Sequence, residues 1–182
     1  MTEPVRTLPK TTIVVMGVSG CGKTTIATGL SEALGWVMAE ADDFHSPENV
    51  ATMAAGTPLT DEDRAPWLAT IRDWISATDG PAVLTCSALR RRYRDTLREA
   101  HSRVRFLHLD GGIEAVGERM AARKDHFMPV SLLVSQVATL EPLDPSEDGV
   151  TVSIAGNPEQ IVERALAALD LQADRRETRS TC

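Results

Sequence analysis

The sequence predicts an α/β protein built on a doubly wound, five-stranded parallel sheet. Short aliphatic and β-branched runs alternate with segments of helical spacing, and no segment repeats. The strand-like runs are apolar throughout, as in strands covered on both faces. We assign residues 1–170 to a single domain, since 182 residues suffice for one ordinary core, and residues 171–182 to a flexible, polar tail.

The first strand is the continuous β-branched run Thr11–Met16. A glycine-rich turn leads from it into a helix predicted over residues 24–34, which ends before Gly35, a residue type common at helix C-caps. Residues 36–40 form the second short strand, "WVMAE".

Two helices are predicted between strands 2 and 3, as an insert covering residues 46–79. The first has Ser46 as N-cap and Pro47 at its first position. The second has Thr60 as N-cap and an acidic first turn, which suits the helix dipole. Inserts at the carboxyl edge of such sheets are typical substrate-binding elements.

The remaining elements continue the alternation of strand and helix. Strands and helices are predicted, in chain order, over residues 81–86, 90–100, 103–109, 111–124, 150–154 and 157–169. A further helix and a Pro- and Asp-rich loop interrupt the pattern before the last strand, and we expect residues 123–148 to form a lid region.

Composition excludes several classes of protein. A net charge of −7 and a pI near 5.1 argue against a general nucleic-acid partner, because phosphate contacts need a basic surface. No apolar run is long enough for a membrane span or a signal peptide. Cys21, Cys86 and Cys182 form no closed disulfide set and fit no zinc spacing, so the reducing cytoplasm is the expected location.

The stretch "GVSGCGKT", residues 17–24, matches the phosphate-loop pattern G-x-x-x-x-G-K-[ST] at every required position. It follows a strand and opens a helix, so backbone N–H groups and the helix dipole can hold phosphates. Lys23 can reach the β- and γ-phosphates, and the Thr24 hydroxyl can ligate Mg²⁺. We therefore expect ATP and Mg²⁺ as cofactors, with the nucleotide held by Gly17, Ser19, Gly20, Cys21, Gly22, Lys23, Thr24 and Thr25.

Other classes of phosphate-loop protein fit less well. A switch GTPase needs an N-K-x-D motif and a D-x-x-G motif, and neither is found. A motor or transporter ATPase usually carries an apolar strand ending in a metal-binding Asp, for which Asp110 is a weak candidate. A small-molecule kinase is the favoured class.

A kinase of this type needs a carboxylate that accepts the proton of the substrate hydroxyl. We expect strand 2 to adjoin strand 1, so that its end opens beside the phosphate loop. Side chains alternate along a strand, so an extended backbone would place Glu40 and Asp42 on one face and Asp43 on the other. Asp43 is then a solvated or capping residue, and Asp42 is the candidate base.

Arginines supply candidate anion ligands near these acids. Arg64 lies in the first turn of a helix, where it can bind an anion or pair with Asp61 or Glu62. Of the basic run at residues 90–94, Arg90 is nearest the strand end and the best placed to reach the cleft. Most of this basic run is expected to be a solvated face.

Two further arginines, Arg119 and Arg123, are four residues apart and share a helix face. Arginines at a lid hinge suit closure over transferring phosphates. The alternative is surface pairing with Glu114 or Glu118.

Four stretches together resemble the small bacterial-type gluconokinases: "GVSGCGKTT", "EADDFHSPENVATMAAGTPLTDEDRAPWL", "CSALRRRYRDTLRE" and "ARKDHFMPVSLLVSQVATLEPL". The likeness covers about residues 12–158. It implies a phosphate-loop kinase fold like that of shikimate and nucleoside monophosphate kinases, with a helical substrate-binding insert and a mobile lid. It implies ATP- and Mg²⁺-dependent phosphorylation of D-gluconate at its 6-hydroxyl, feeding the pentose phosphate or Entner–Doudoroff routes, and commonly a homodimer.

The resemblance also assigns roles to residues. It implies Lys23, Asp42 and Arg123 in catalysis, Arg119 at the nucleotide, and Glu40 on Mg²⁺ through water. It implies substrate contacts by Asp42, His45, Arg64, Arg90 and His126, although His126 alone would read as a packed or surface histidine. This sequence departs from the family with Ala41 where glycine is usual, Ser46 inserted between His45 and Pro47, and Arg90 where lysine is common.

Two other hypotheses remain open from the sequence. One is a kinase of the same fold that acts on shikimate, another small hydroxylated acid or a nucleotide. A nucleotide substrate would need an aromatic base pocket in the insert, whereas Trp67 and Trp74 are better explained as helix core. The other hypothesis is a nucleotide-binding module without enzymatic activity.

Overall fold

The computed structural model describes residues 10–121 and 130–172. Five strands form one parallel sheet: Thr11–Met16 (β1), Val37–Glu40 (β2), Ala82–Thr85 (β3), Arg103–Asp110 (β4) and Gly149–Ser153 (β5). The described α-helices are Lys23–Leu34 (α1), Pro47–Ala54 (α2), Asp61–Ala77 (α3), Arg91–Arg98 (α4), Ile113–Ala121 (α5), Val130–Thr139 (α6) and Pro158–Ala168 (α7). The predicted α/β fold with five parallel strands is confirmed.

The strands lie in the order β2-β3-β1-β4-β5. The expectation that β2 adjoins β1 is therefore wrong, because β3 lies between them and pairs with both. The chain leaves β1, passes through α1 and enters β2, which lies two positions away in the sheet. The position between them is taken by β3, which follows the helical insert. The carboxyl ends of β1, β3 and β2 still open side by side at one edge.

All six residues of the central strand β1 are buried, so the sheet is covered on both faces at this strand. Ile13 and Val15 pack into a core with α1, α5, α6 and α7. Val14 and Met16 point the other way, into a core with α3 and α4. The alternation of side chains along one strand thus serves two separate apolar layers.

Local signals set several boundaries as predicted. Gly35 ends α1 in the left-handed conformation at φ 67°. The Ser46 hydroxyl accepts the Asn49 N–H at the start of α2, and Thr60 forms a capping box with Asp63 at the start of α3. In the part of the chain that the structure describes, none of the helices combines the length and apolar character of a membrane span.

Candidate active site

The phosphate loop connects β1 directly to α1. Gly17, at φ 144°, leaves no room for a side chain, because an added Cβ would lie 2.8 Å from the Cys21 Sγ and 3.0 Å from the Leu109 carbonyl oxygen. Gly22 caps α1 at φ 100°. The helix begins at Lys23, so its positive end faces the space that the loop encloses.

Contacts at the start of the loop fix its position against the sheet. The Gly17 N–H donates to the Ser87 carbonyl oxygen at 3.3 Å, which ties the loop to the segment after β3. The Lys23 ammonium donates to the carbonyl oxygens of Gly17 and Val18, at 3.1 Å each. The lysine charge therefore lies over the loop itself, where a phosphate chain would be bound.

Oxygen atoms suited to a hard cation meet beside the loop. Thr85 Oγ1 donates to Glu40 Oε2 at 2.6 Å, and Thr24 Oγ1 donates to the same oxygen at 3.3 Å. Mg²⁺ prefers such ligands and usually binds through one or two protein oxygens together with phosphates and water. Among the described residues no cluster of three or more His, Cys, Asp and Glu could hold a metal. This arrangement fits a Mg²⁺ ion held mostly by nucleotide phosphates.

A cavity of about 230 Å³ adjoins the helix end of the loop. Its lining consists of Gly20, Gly22, Thr25, Ile26, Arg119, Pro158 and Ile161. Arg119 on α5 donates to the carbonyl oxygens of Ile154 and Gly156, so it is held against the segment after β5. Within residues 10–121 and 130–172 it forms no ion pair, which disfavours the alternative of pairing with Glu114 or Glu118.

The acidic segment after β2 is not extended. The strand ends at Glu40, and Ala41–Phe44 form a 3-10 turn. The strand alternation proposed to distinguish Asp42 from Asp43 is therefore wrong, because that argument needs an extended backbone through both residues. Both aspartates are exposed. Ala41 is buried at an ordinary negative φ, so the alanine at this position brings no left-handed strain.

Trp67 on α3 organises this turn. Its indole N–H donates to the Ala41 carbonyl oxygen at 2.7 Å, and its ring stacks on His45 with centroids 4.3 Å apart. The His45 side chain is only 7% exposed, and its Nε2 lies 3.9 Å from Asp42 Oδ1. Burial lowers the pKa of His45, Asp42 opposes that shift, and Arg64 adds to it. His45 is therefore a neutral imidazole near pH 7, beside the candidate base.

A network links the start of α3 to α4. Arg64 donates to the Tyr93 hydroxyl at 3.2 Å, and that hydroxyl donates to the Asp61 carboxylate. Arg92 also donates to Asp61, and Arg90 lies 3.8 Å from it. The Tyr93 hydrogen bond is the main cause that keeps the pKa of Asp61 below its usual value, although partial desolvation opposes it. The Asp61 carboxylate is thus already hydrogen-bonded by Tyr93 and Arg92.

Arg64 itself has no carboxylate partner in the described part of the chain. The sequence left open whether Arg64 binds an anionic ligand or pairs with Asp61 or Glu62. In the structure neither of these two carboxylates pairs with it. Its guanidinium is held by the neutral Tyr93 hydroxyl and lies 5.7 Å from the centroid of the Tyr93 ring. An arginine held in this way keeps its charge available for an anionic ligand.

Lys23, Asp42 and Arg64 come from three separate segments, and the charges of all three affect the pKa of the same thiol. Burial raises the pKa of the Cys86 thiol, just after β3, to about 12. The charges of Lys23 and Arg64 oppose that rise, and the Asp42 charge adds to it. The hydrogen bonds from Gly17 to Ser87, from Thr85 to Glu40 and from Trp67 to Ala41 place the phosphate loop, the turn after β2 and helix α3 at this same end of β3.

Arg94 is an exception to the solvated face expected for most of the basic run at residues 90–94. Its side chain is fully buried and donates to both oxygens of Glu147, at 2.7 and 2.9 Å. It also donates to the carbonyl oxygen of Ala88, which has the unusual φ of 44°. Burial raises the pKa of Glu147, but the Arg94 hydrogen bonds, the Asp144 N–H and the charges of Arg94 and Arg91 together outweigh it and keep that pKa low. Arg94 therefore supports the turn that holds Gly17.

Comparison with known proteins agrees with this geometry. The family model described as shikimate kinase matches residues 19–169. A gluconokinase of Gluconobacter oxydans is 49% identical over 158 residues, covering 85% of this chain and 88% of its own. The chain belongs to the gluconokinase family.

Solved structures support the same assignment to the gluconokinase family. A gluconokinase from Sinorhizobium meliloti is 45% identical, with a TM-score of 0.82 over 91% of this chain and 94% of its own. An unliganded sugar kinase from Janibacter is 55% identical, with a TM-score of 0.84 over 90% and 96% of the two chains. The fold is therefore that of a phosphate-loop kinase within the wider shikimate kinase family.

The structure brings most of the predicted site residues of this gluconokinase-family chain to one edge of the sheet. Arg123 and His126 lie outside the described residues. Three contributors were not foreseen: Thr85, Tyr93 and Gln136. Gln136 lies in the pattern S-Q-x-x-T-L-E, which occurs as "SQVATLE" in the last of the four stretches that resemble the gluconokinases, whereas nothing in the sequence marked the Tyr93 hydroxyl.

Proposed function

We propose that this protein transfers the γ-phosphate of ATP to the 6-hydroxyl of D-gluconate, giving 6-phospho-D-gluconate and ADP. Membership of the gluconokinase family over most of the chain carries this proposal. The geometry supports it, because a complete phosphate loop opens beside an arginine that no described carboxylate neutralises. A sugar acid offers both the anion for that arginine and the hydroxyl for the transfer.

On the donor side, the loop N–H groups and the Lys23 ammonium bind the β- and γ-phosphates. The cavity beside Arg119 and Pro158 receives the nucleoside. When bound, Mg²⁺ offsets the negative charge of the phosphates, with the Thr24 hydroxyl as a ligand and Glu40 holding a water. The Thr85 hydrogen bond fixes the Glu40 carboxylate for that task.

On the acceptor side, the oxygen of the gluconate 6-hydroxyl forms a bond to the γ-phosphorus while the bond between that phosphorus and ADP breaks. Asp42 accepts the proton that the 6-hydroxyl loses. Arg64 and Arg90 bind the gluconate carboxylate. The neutral His45, clamped on Trp67, hydrogen-bonds a substrate hydroxyl. Further along the chain, Arg123 offsets charge in the transition state and His126 contacts the substrate, as in the family pattern.

The larger organisation is part of the same proposal. Residues 46–79 form the substrate-binding insert, residues 123–148 the lid and residues 171–182 a flexible tail. Within the insert, α2 buries none of its residues, which suits an element that adjusts to substrate. We further propose that the protein acts as a cytoplasmic homodimer in gluconate utilisation.

A coupled ADP-release assay with MgATP tests this function. Gluconate should stimulate ADP release far above the reaction without acceptor, while shikimate and nucleoside monophosphates should not. Stimulation by shikimate or a nucleotide alone would replace gluconate as the substrate. Equal ADP release with and without every acceptor would contradict the kinase activity itself.

A further inference from the structure

Gln136 contacts the middle of the phosphate loop from helix α6, 117 residues away in sequence. Its Oε1 accepts the Ser19 N–H at 2.7 Å, and its Nε2 lies 3.4 Å from the Ser19 hydroxyl oxygen. Both polar ends of one carboxamide are therefore used on a single loop residue. Gln136 belongs to the S-Q-x-x-T-L-E stretch, for which the proposed reaction gives no role.

The loop depends on this contact because it has few other anchors. Its start is held by the Gly17 N–H on Ser87, and its end continues into α1. Its internal hydrogen bonds include the Cys21 N–H and the Lys23 ammonium, which both donate to the Val18 carbonyl oxygen. In the described part of the chain, no other side chain from outside the loop hydrogen-bonds to residues 18–22.

Helix α6 is itself well fixed, so it can serve as a support. Leu133 is 1% exposed in the core cluster that lies against α1 and α7, and Val137 packs on the same cluster. Just beyond the helix, the Glu141 N–H donates to the Leu89 carbonyl oxygen at 2.8 Å. Contacts both before and after Gln136 in the chain therefore hold the backbone of this helix in place.

We propose that Gln136 is a positioning residue that holds Ser19, and with it the N–H groups of the phosphate loop, in the arrangement that binds the nucleotide phosphates. The carboxamide suits this place because it accepts from a backbone N–H without adding charge beside bound phosphates. A carboxylate there would keep the acceptor but repel an anionic ligand. This inference rests on the proposed use of ATP, and it does not depend on gluconate as the acceptor.

Two substitutions of similar size separate positioning from simple packing. Q136L removes both hydrogen bonds, whereas Q136E retains an acceptor for the Ser19 N–H and introduces a negative charge. A138E is the matched control, because it adds the same charge at an exposed position of the same helix. The readouts are the Kd for MgATP, measured by titration without acceptor, and the KM values for ATP and gluconate.

The positioning role predicts that Q136L weakens MgATP binding about 5- to 10-fold, in line with the loss of hydrogen bonds that order the site. Q136E should weaken it at least as much, by an amount that salt reduces, while A138E and the gluconate KM stay within about twofold of the wild type. Wild-type MgATP affinity in Q136L would overturn the proposal, whatever the melting temperature of that variant. Because the titration uses no gluconate, its outcome is separate from any failure of the acceptor assignment.

Discussion

The phosphate loop takes its shape mainly from eight consecutive residues, with one distant support from Gln136, whereas the acceptor side collects its side chains from several distant segments. The loop uses backbone groups, glycine conformations and one lysine. On the acceptor side, Arg64 depends on Tyr93 of α4, and the turn that carries Asp42 depends on Trp67 of α3. Binding of phosphate is thus encoded mostly in one contiguous motif, whereas the proposed acceptor site is encoded in the tertiary structure.

This difference has a consequence for mutation. Backbone N–H groups survive most substitutions, so the phosphate side should fail mainly at its lysine and its glycines. The acceptor side is made of side chains that hold one another, so removal of a hydroxyl far from the reaction should alter substrate affinity. The substitutions below test the two sides in order of expected effect.

The largest effect is expected at Lys23, whose ammonium lies over the phosphate loop. K23A should lower kcat by about 10³-fold or more, because a cation at the transferring phosphates acts in a largely dehydrated site. Steady-state kinetics with gluconate measure this loss, and circular dichroism should show an unchanged fold. Retained turnover in a folded K23A protein would contradict the phosphate-binding role.

A smaller but still large effect is expected at the candidate base. D42N should lower kcat by about 10²-fold or more, the contribution typical of general base catalysis. D43N is the matched control, because Asp43 is also exposed and its carboxylate forms no hydrogen bond or ion pair with the other described residues. Equal losses in the two variants would show that the turn, rather than one carboxylate, matters.

Removal of the Tyr93 hydroxyl should affect only substrate affinity. Y93F leaves Arg64 without its partner, so the gluconate KM should rise about tenfold while the ATP KM stays unchanged. R92A is the control, since Arg92 shares Asp61 but does not contact Arg64 through a hydrogen bond. A similar rise in R92A would point to Asp61, and an unchanged KM in Y93F would remove the network from substrate binding.

The smallest effect concerns stability away from both sides of the site. Burial lowers the pKa of His108 from its ordinary 6.5, Asp110 opposes this shift, and Arg94 adds to it. Below pH 6.5 the unfolded chain binds a proton that the folded chain resists, so the free energy of unfolding should fall as the pH decreases toward the folded pKa. Denaturant unfolding from pH 7.5 to 5 should show a shallower fall in H108Q, provided that the variant folds, than in the wild type. H101Q, at an exposed position, should match the wild type, and identical slopes in all three proteins would contradict this assignment.

The elements of the fold could be predicted because their signals are local. The run Thr11–Met16 is continuously apolar, and the caps at Gly35, Ser46 and Thr60 each act within one helical turn. The order of strands could not be obtained in this way. It depends on how the helices pack across the sheet, and so β3 was not foreseen between β1 and β2.

The site was predictable to different degrees on its two sides. The phosphate loop is a contiguous pattern, so its residues could be identified one by one. Strand alternation failed at Asp42 because a 3-10 turn begins at Ala41, and no local rule signals that change. Arg94 looked like its charged neighbours, since its buried partner Glu147 lies 53 residues further along the chain.

The central claim is that the acceptor side directs the γ-phosphate to the 6-hydroxyl of gluconate. It is tested most directly by identifying the product of the purified protein with MgATP and gluconate by ³¹P and ¹³C nuclear magnetic resonance. We expect a phosphate ester coupled to carbon 6, formed in equal amount with ADP. A phosphate on another carbon, or ADP accompanied only by inorganic phosphate, would contradict it.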